Sequence, residues 1–222
     1  MSIESEIGKN PEGREGLPME TVTICGGFSN PSPDQATNGE ALQRLGRLLK
    51  EAGAEVSIGG FFGSLEEIGN GMTEAEGSGT IDVARLPNRP NVESKPGLRV
   101  AEIPNYEKRL GFLFEKAKAL IFVNPSRRGG TMVEAEHAIQ RMIAMRRSSE
   151  EEPLPPLVFV GPEWEEEYRY DVSYRKYLED CATDAFEGNP TLAGQKYMFF
   201  VRTPEEALEI LRNWKNPQET DE

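Results

Sequence analysis

The turn from Asn124 to Gly130 and the helix start that follows it hold the residues best suited to chemistry in this chain of 222 residues. Arg127 and Arg128 lie within it, and guanidinium groups match phosphate oxygens in pairs. Helical spacing begins at Thr131, so free backbone N–H groups at the helix start would point at an anion. Glu134 follows one turn later and would put a carboxylate beside the bound group. The residues predict a phosphate grip next to a carboxylate, although an ordinary strand-to-helix turn with two solvated arginines explains them equally well.

Two regular elements must position this turn. The residues from Ala119 to Val123 are all apolar, as expected of a strand that is buried on both faces. After the turn, apolar residues recur at helical spacing: Met132, Ala135, Ala138, Ile139 and Met142. The pattern therefore predicts a strand, a turn and a helix in that order.

Two further glycine-bearing turns follow predicted strands. Gly26 and Gly27 end the β-branched run from Thr21 to Ile24, and the turn from Gly59 to Gly63 follows a strand from Glu55 to Ile58. Strands alternate with helices along the chain, which predicts a parallel sheet covered on both faces in a single doubly wound α/β domain. Ligands of such sheets bind at the carboxyl ends of the strands. We therefore expect the three turns to converge on one pocket.

The ends of the chain are polar and lack hydrophobic periodicity. We expect a flexible N-terminal tail over residues 1–18, a folded domain over residues 19–215 and a C-terminal tail over residues 216–222. Thr203 opens the last helix with the spacing of a capping box. The segment from Trp164 to Ala182 is predicted to be mainly helical.

Composition excludes several classes of function. The formal net charge of -13 disfavours a general nucleic-acid binder, which needs a positive field, whereas a small anionic ligand needs only local positive charge. Cys25 and Cys181 lie far apart and the chain has one histidine, so no metal site is expected. We find no signal peptide and no apolar run long enough to cross a membrane, which predicts a cytoplasmic protein without a membrane partner.

From Thr21 to Trp214 the sequence resembles the Lonely Guy family of Rossmann-like nucleotide-binding proteins. The family motif Pro-Gly-Gly-x-Gly-Thr-x-x-Glu corresponds to the stretch from Pro125 to Glu134, where the Gly-Thr-x-x-Glu half is intact. Ser126-Arg127 stands in place of the first Gly-Gly, with one residue inserted. The other segments that carry the resemblance are Cys25-Gly26-Gly27-Phe28-Ser29, Leu45-Gly46-Arg47-Leu48-Leu49, Gly59-Gly60-Phe61-Phe62-Gly63, Arg109 and Thr203-Pro204-Glu205-Glu206-Ala207-Leu208.

Members of this family cleave the N-glycosidic bond of a nucleoside 5′-monophosphate, and in plants and bacteria the released base can be a cytokinin. The resemblance implies the same reaction here, giving free base and ribose 5-phosphate, in a homodimer without metal or cofactor. It implies catalytic roles for Arg109 and Glu134. It also implies that the nucleotide contacts residues at three strand ends: Gly26, Gly27, Gly60, Gly63, Arg127, Arg128, Gly129, Gly130 and Thr131.

Two other functions fit the same sequence. A non-catalytic nucleotide-binding or sensing protein would have the same fold, and the altered motif would then mark lost catalysis. A nucleoside deoxyribosyltransferase also pairs a Gly-Thr-x-x-Glu segment with a Rossmann-like sheet. Single residues have structural explanations as well: Glu134 would favour the helix dipole, Arg109 would lie on the surface, and Cys25 would be a small buried residue.

Overall fold

The computed structural model describes residues 17, 21–27, 31–60, 62–87, 97–125, 130–147, 154–169, 171–185 and 197–214. The strands are β1 (Thr21–Gly26), β2 (Glu55–Ile58), β3 (Thr80–Arg85), β4 (Leu98–Glu102), β5 (Ala119–Val123), β6 (Leu157–Val160), β7 (Glu167–Arg169), β8 (Val172–Ser173) and β9 (Met198–Val201). The helices are α1 (Gly39–Glu51), α2 (Ser64–Glu74), α3 (Tyr106–Glu115), α4 (Gly130–Arg147), α5 (Tyr174–Ala185) and α6 (Pro204–Asn213). The predicted tails lie outside these residues, apart from Leu17, which is buried in the core.

Seven strands form one sheet in the order β4-β3-β2-β1-β5-β6-β9. Every neighbouring pair in it is parallel. The chain builds outward from β1 to β4 on one side, then returns to the centre at β5 and builds outward to β9 on the other. This confirms the predicted doubly wound α/β domain, and it makes the β1/β5 boundary the switch point in strand order.

The two faces of β5 serve two separate hydrophobic cores. Ile121 and Val123 pack with residues of α1, α2 and α6, whereas Leu120 and Phe122 pack with residues of α3, α4 and α5. A central parallel strand must be apolar on both faces because helices cover both, and this explains the uninterrupted apolar run from Ala119 to Val123.

Helices α1 and α2 approach each other closely because glycines lie at their contact. A Cβ atom on Gly46 would lie 2.1 Å from the carbonyl oxygen of Ile68, and one on Gly71 would lie 2.0 Å from the carbonyl oxygen of Gln43. Such distances leave no room for any side chain, so the two backbones touch directly. Gly46 in the Leu-Gly-Arg-Leu-Leu segment therefore has a packing role.

The prediction of a helix from Trp164 to Ala182 is wrong in its first half. A 3-10 helix spans Pro162–Glu165, the antiparallel hairpin of β7 and β8 follows, and α5 begins only at Tyr174. Trp164, Tyr168 and Tyr174 pack against one another as aromatic neighbours. This aromatic cluster produces a helix-like spacing in the sequence, although the strands β7 and β8 lie between its first and last members.

Other expected features agree more closely with the structure. The predicted bounds of the strands that begin at Glu55 and Ala119 match β2 and β5. Thr203 caps α6 with the predicted capping box, since its side chain accepts from the backbone N–H of Glu206 and the Glu206 carboxylate accepts from that of Thr203. None of the described helices is both long enough and apolar enough to cross a membrane.

Candidate functional site

The three glycine-bearing turns singled out in the sequence follow adjacent strands. Gly26 ends β1 and pairs with Val123 of β5, and the turn that contains Gly59 and Gly60 follows β2 on the other side of β1. The carboxyl ends of β2, β1 and β5 therefore lie side by side. A doubly wound sheet opens its ligand crevice at this place, beside the switch point.

Arg109 and Glu134 meet beneath this edge of the sheet. Arg109 on α3 is 2% exposed and Glu134 on α4 is 5% exposed. The Nη2 atom of Arg109 lies 3.3 Å from Oε1 of Glu134, and its Nη1 atom donates to the carbonyl oxygen of Gly59 at 2.6 Å. One guanidinium group therefore ties the carboxylate on α4 to the turn after β2. The structure brings the two residues predicted to be catalytic into direct contact.

Two more side chains complete the surroundings of this pair. The thiol of Cys25, at the end of β1, is buried and shares a hydrogen bond with the Glu134 carboxylate. The ring of Tyr106 lies over the guanidinium group, with its centroid 4.8 Å from Cζ of Arg109, which is within cation–π distance. Residues of β1, α3 and α4 thus hold the carboxylate in one orientation.

Burial dominates the protonation of Glu134. Removal of the carboxylate from water raises its pKa from 4.5 to about 7, although the charge of Arg109 and the hydrogen bond from Cys25 both act to lower it. Burial also raises the pKa of the Cys25 thiol, and the nearby Glu134 charge raises it further. The thiol is therefore held in its neutral, hydrogen-bond-donating form, while the carboxylate exchanges its proton near neutral pH.

The structure gives some of the predicted glycines a packing role. A Cβ atom on Gly26 would lie 3.0 Å from side-chain atoms of Leu65 and Val123, so the residue lets β1 pass close to its neighbours. Gly63 has φ +58 and ψ -134 directly before α2, a conformation that residues with side chains rarely adopt. Gly60, at φ +151, is also in a region that favours glycine. Whether these glycines touch a ligand stays a prediction.

The start of α4 carries the remaining predicted binding residues. Gly130 is the first residue of this helix, and Thr131 follows it with its side chain fully buried. The Oγ1 atom of Thr131 has no hydrogen-bond partner in the described part of the chain. Arg127, Arg128 and Gly129 lie outside the described residues.

Sequence reasoning missed Asn124, the residue that follows β5. It is 8% exposed and has φ +49, in the left-handed region that asparagine adopts more readily than most residues. Its Nδ2 atom donates to Oγ of Ser64, the first residue of α2, at 2.9 Å. The Asn-Pro pair at positions 124 and 125 was the available signal, because asparagine before proline marks a turn.

A second missed contact joins the segment before α1 to the 3-10 helix after β6. The Glu163 carboxylate accepts from the backbone N–H of Thr37 at 2.8 Å and from its hydroxyl at 2.6 Å. Both residues are buried. The segment before α1 is thereby held against the turn after β6. No sequence signal links these two residues, which are 126 positions apart.

Within the described residues no three His, Cys, Asp or Glu side chains come together in a group that could hold a metal ion. His137 lies on the exposed side of α4, near the ring of Phe114 at a centroid distance of 5.4 Å. Burial lowers the pKa of His137, and the charge of Arg141 lowers it further.

No protein-family model matches the chain, and no curated protein matches it. Solved structures do resemble it. The X-ray structure of TM1055, a structural-genomics target, aligns over 88% of this chain and 100% of its own with a TM-score of 0.59 and 20% identity. The molybdenum cofactor carrier protein from Chlamydomonas reinhardtii aligns over 85% of this chain and 94% of its own with a TM-score of 0.50 and 14% identity. At these identities the likeness concerns the fold alone, and it identifies the chain as an α/β protein with a Rossmann-like fold.

Proposed function

We propose that this protein is a nucleoside 5′-monophosphate phosphoribohydrolase. It cleaves the N-glycosidic bond and releases free base and ribose 5-phosphate. One observation carries the proposal: a buried carboxylate, Glu134, is held by a buried arginine, Arg109, beside the switch point where a Rossmann-like sheet binds its ligands. The same two residues are the ones that the Lonely Guy resemblance implies for catalysis.

The reaction needs few protein groups. Breaking a ribosyl C–N bond passes through a transition state with positive charge on the sugar, as in glycoside hydrolysis. A carboxylate beside the anomeric carbon stabilises that charge and orients or deprotonates the attacking water. Glu134 has this role in the proposal. Its pKa of about 7 means that a substantial fraction of the protein has the ionised carboxylate at neutral pH.

Arg109 and the start of α4 supply the positioning. Arg109 is fixed by the carbonyl oxygen of Gly59, so it orients the carboxylate and lowers its pKa against the effect of burial. Backbone N–H groups at Gly130 and Thr131 would bind the 5′-phosphate at the positive end of the helix dipole. Arg127 and Arg128 would add charged contacts to the same phosphate.

The direct test is an assay for ribose 5-phosphate. The purified protein is incubated with the common nucleoside 5′-monophosphates and a cytokinin riboside 5′-monophosphate. We expect release from at least one of them and a loss of about a hundredfold or more in Glu134→Gln, because the variant keeps the shape of the side chain but not its charge. Glu209→Gln, an exposed glutamate on α6, is the matched control and should retain full activity.

A non-catalytic nucleotide carrier is the second candidate. The first half of the motif differs from the family pattern at Ser126 and Arg127, and one structure of the same fold is that of a molybdenum cofactor carrier protein. Measurable nucleotide binding without release of ribose 5-phosphate from any substrate would favour this function. Product that forms only when an acceptor base is added would favour a deoxyribosyltransferase-like enzyme instead.

The homodimer is also a proposal, and it rests on the resemblance. Sedimentation equilibrium of the purified chain tests it directly. A mass near 24.7 kDa at all concentrations would contradict it, because that is the mass of one chain.

A further inference from the structure

Three residues in the segments that follow three adjacent strands form a small polar cradle. Asn124 follows β5, Ser64 opens α2 after β2, and Gly27 follows β1. The Asn124 amide donates to the Ser64 hydroxyl, and the backbone N–H of Ser64 donates to the carbonyl oxygen of Gly27 at 3.1 Å. A Cβ atom on Gly27 would lie 3.1 Å from the carbonyl oxygen of Asn124 and 3.8 Å from both Cβ of Asn124 and Oγ of Ser64. The absence of a side chain at Gly27 therefore lets the turn after β1 lie close to the backbone of Asn124.

One atom of this cradle lacks a partner. Oδ1 of Asn124 is buried and accepts no hydrogen bond within the described residues. Buried polar atoms in native proteins are nearly always paired, so an unpaired one calls for an explanation. The contact with Ser64 accounts for Nδ2, and the left-handed backbone at φ +49 favours asparagine at this position. Neither of them gives Oδ1 a hydrogen-bond donor.

The missing partner must be a hydrogen-bond donor, because an amide oxygen only accepts. A phosphate group presents acceptors and negative charge, so it would not pair with this atom. The phosphate has its own binding place at the N-terminus of α4 in the proposed function. Glu134, in the same proposal, faces the anomeric carbon. The ribose carries both the anomeric carbon and the 5′-phosphate, and its hydroxyls are hydrogen-bond donors.

We propose that Oδ1 of Asn124 accepts a hydrogen bond from a ribose hydroxyl and thereby selects ribonucleotides over deoxyribonucleotides. This inference rests on the proposed function for its substrate class. It assigns sugar selectivity to Asn124, a residue distinct from the proposed catalytic pair of Arg109 and Glu134.

Binding measured by calorimetry tests this selectivity. All variants carry Glu134→Gln so that turnover does not disturb the measurement. The probes are AMP, 2′-deoxy-AMP and 3′-deoxy-AMP. We expect one of the deoxynucleotides to bind about five- to tenfold more weakly than AMP, as expected for one lost hydrogen bond. Adding Asn124→Gly, which tolerates positive φ, should weaken AMP binding by the same factor and bring that ratio to about one.

Two further variants keep the test decisive. Asn124→Asp retains an acceptor and tolerates the backbone conformation, so it should preserve the ribose preference. Ser64→Ala removes the contact that orients Asn124, and it should reduce the preference for AMP over the deoxynucleotide while the fold persists. This variant replaces Asn124→Gly in the test if Asn124→Gly fails to fold. Gly111→Ala on the open surface of α3 is the control, since nothing lies within 4 Å of its Cβ position. It should leave the ratio unchanged.

Several outcomes would overturn the inference. One is an unchanged ratio of AMP to deoxynucleotide affinity when Asn124→Gly is added. Another is equal binding of AMP and both deoxynucleotides by the Glu134→Gln variant alone. An effect of Asn124→Gly only on the preference for AMP over purine riboside monophosphate would move the contact to the base amine and also refute it. Selective binding without any turnover by the wild-type protein would refute the hydrolase alone. Turnover without ribose selectivity would refute only the role of Asn124, and no binding at all would refute both proposals.

Discussion

Arg109 and Glu134 lie 25 residues apart in sequence and on different helices, yet Nη2 of one is 3.3 Å from Oε1 of the other in the protein interior. The strand between these helices, β5, explains the meeting. α3 leads into it and α4 leaves it on the same face of the sheet, so both helices pack side by side. A buried ion pair of this kind is weak evidence for stability, because taking both charges out of water offsets their attraction. Its presence beside the switch point is better explained by function.

Glu134 makes stability depend on pH in a definite direction. Its pKa in the folded protein, about 7, exceeds the ordinary value of 4.5 that applies to the unfolded chain. The folded state then binds more protons between these values, so the stabilisation is complete below pH 4.5 and is lost as pH rises through 7. The shift corresponds to about 3 kcal/mol. Urea unfolding should show that the free energy of unfolding of the wild type falls between pH 5 and pH 8 by about 3 kcal/mol more than that of Glu134→Gln. Equal changes in both proteins would contradict the prediction.

Activity should depend on pH in the opposite sense. The ionised carboxylate is the catalytic form in the proposed mechanism, so the rate should rise about tenfold per pH unit below pH 7 and level off above it. Cys25→Ala removes a hydrogen bond that lowers the pKa of Glu134, so the limb of its profile should shift to higher pH. The measurement is kcat/KM against pH for both proteins. A limb near pH 4.5 in the wild type would show that the buried carboxylate is not the group that titrates.

Arg109 should tolerate no replacement by lysine. Its guanidinium group reaches the Gly59 carbonyl and the Glu134 carboxylate at once, and a single ammonium group lacks that fork. We expect Arg109→Lys to lower kcat/KM by about a hundredfold, because a misplaced catalytic group costs that much. Arg44→Lys is the matched control: Arg44 forms an exposed ion pair with Glu205, which contributes little. Similar losses in the two variants would contradict a specific role for Arg109.

The contact between Thr37 and Glu163 should depend on Gly161. This glycine has φ +112, and a Cβ atom there would lie 2.0 Å from Oγ1 of Thr37 and 2.1 Å from Oε2 of Glu163. We expect Gly161→Ala to lower the free energy of unfolding by about 3 kcal/mol through strain and loss of the buried hydrogen bonds. Gly111→Ala in α3 should instead raise it by about 0.5 to 1 kcal/mol. Chemical denaturation compares them, and equal stability of Gly161→Ala and wild type would be the contrary result.

Much of the fold could be predicted because the signals are local. The apolar run from Ala119 to Val123 fixes a strand buried on both faces, and Thr203 has a capping partner three residues away. The first half of the segment from Trp164 to Ala182 could not be predicted correctly. Its aromatic side chains pack on one another across a hairpin, and periodicity alone cannot distinguish that spacing from a helix.

The candidate site was predictable where a motif marks it. Glu134 lies in an intact half-motif, and Arg109 lies at the spacing that the family resemblance implies. The Asn124–Ser64 and Thr37–Glu163 contacts could not be predicted. Each joins two segments that are far apart in sequence and that only the folded sheet brings together. A polar residue beside a central strand has many local explanations. The topology of the fold determines which residue becomes its hydrogen-bond partner.

The glycine contact between α1 and α2 makes the site sensitive to distant changes. Gly46 and Gly71 touch nothing reactive, yet a methyl group at either would force the helix backbones apart. Ser64 opens α2, so any movement of that helix displaces the hydroxyl that holds Asn124. A displacement of about 1 Å is enough to cost a hundredfold in rate when it reaches a reacting centre. Damaging substitutions in this protein will therefore extend well beyond the strand ends, to the two glycines at which the helix backbones touch.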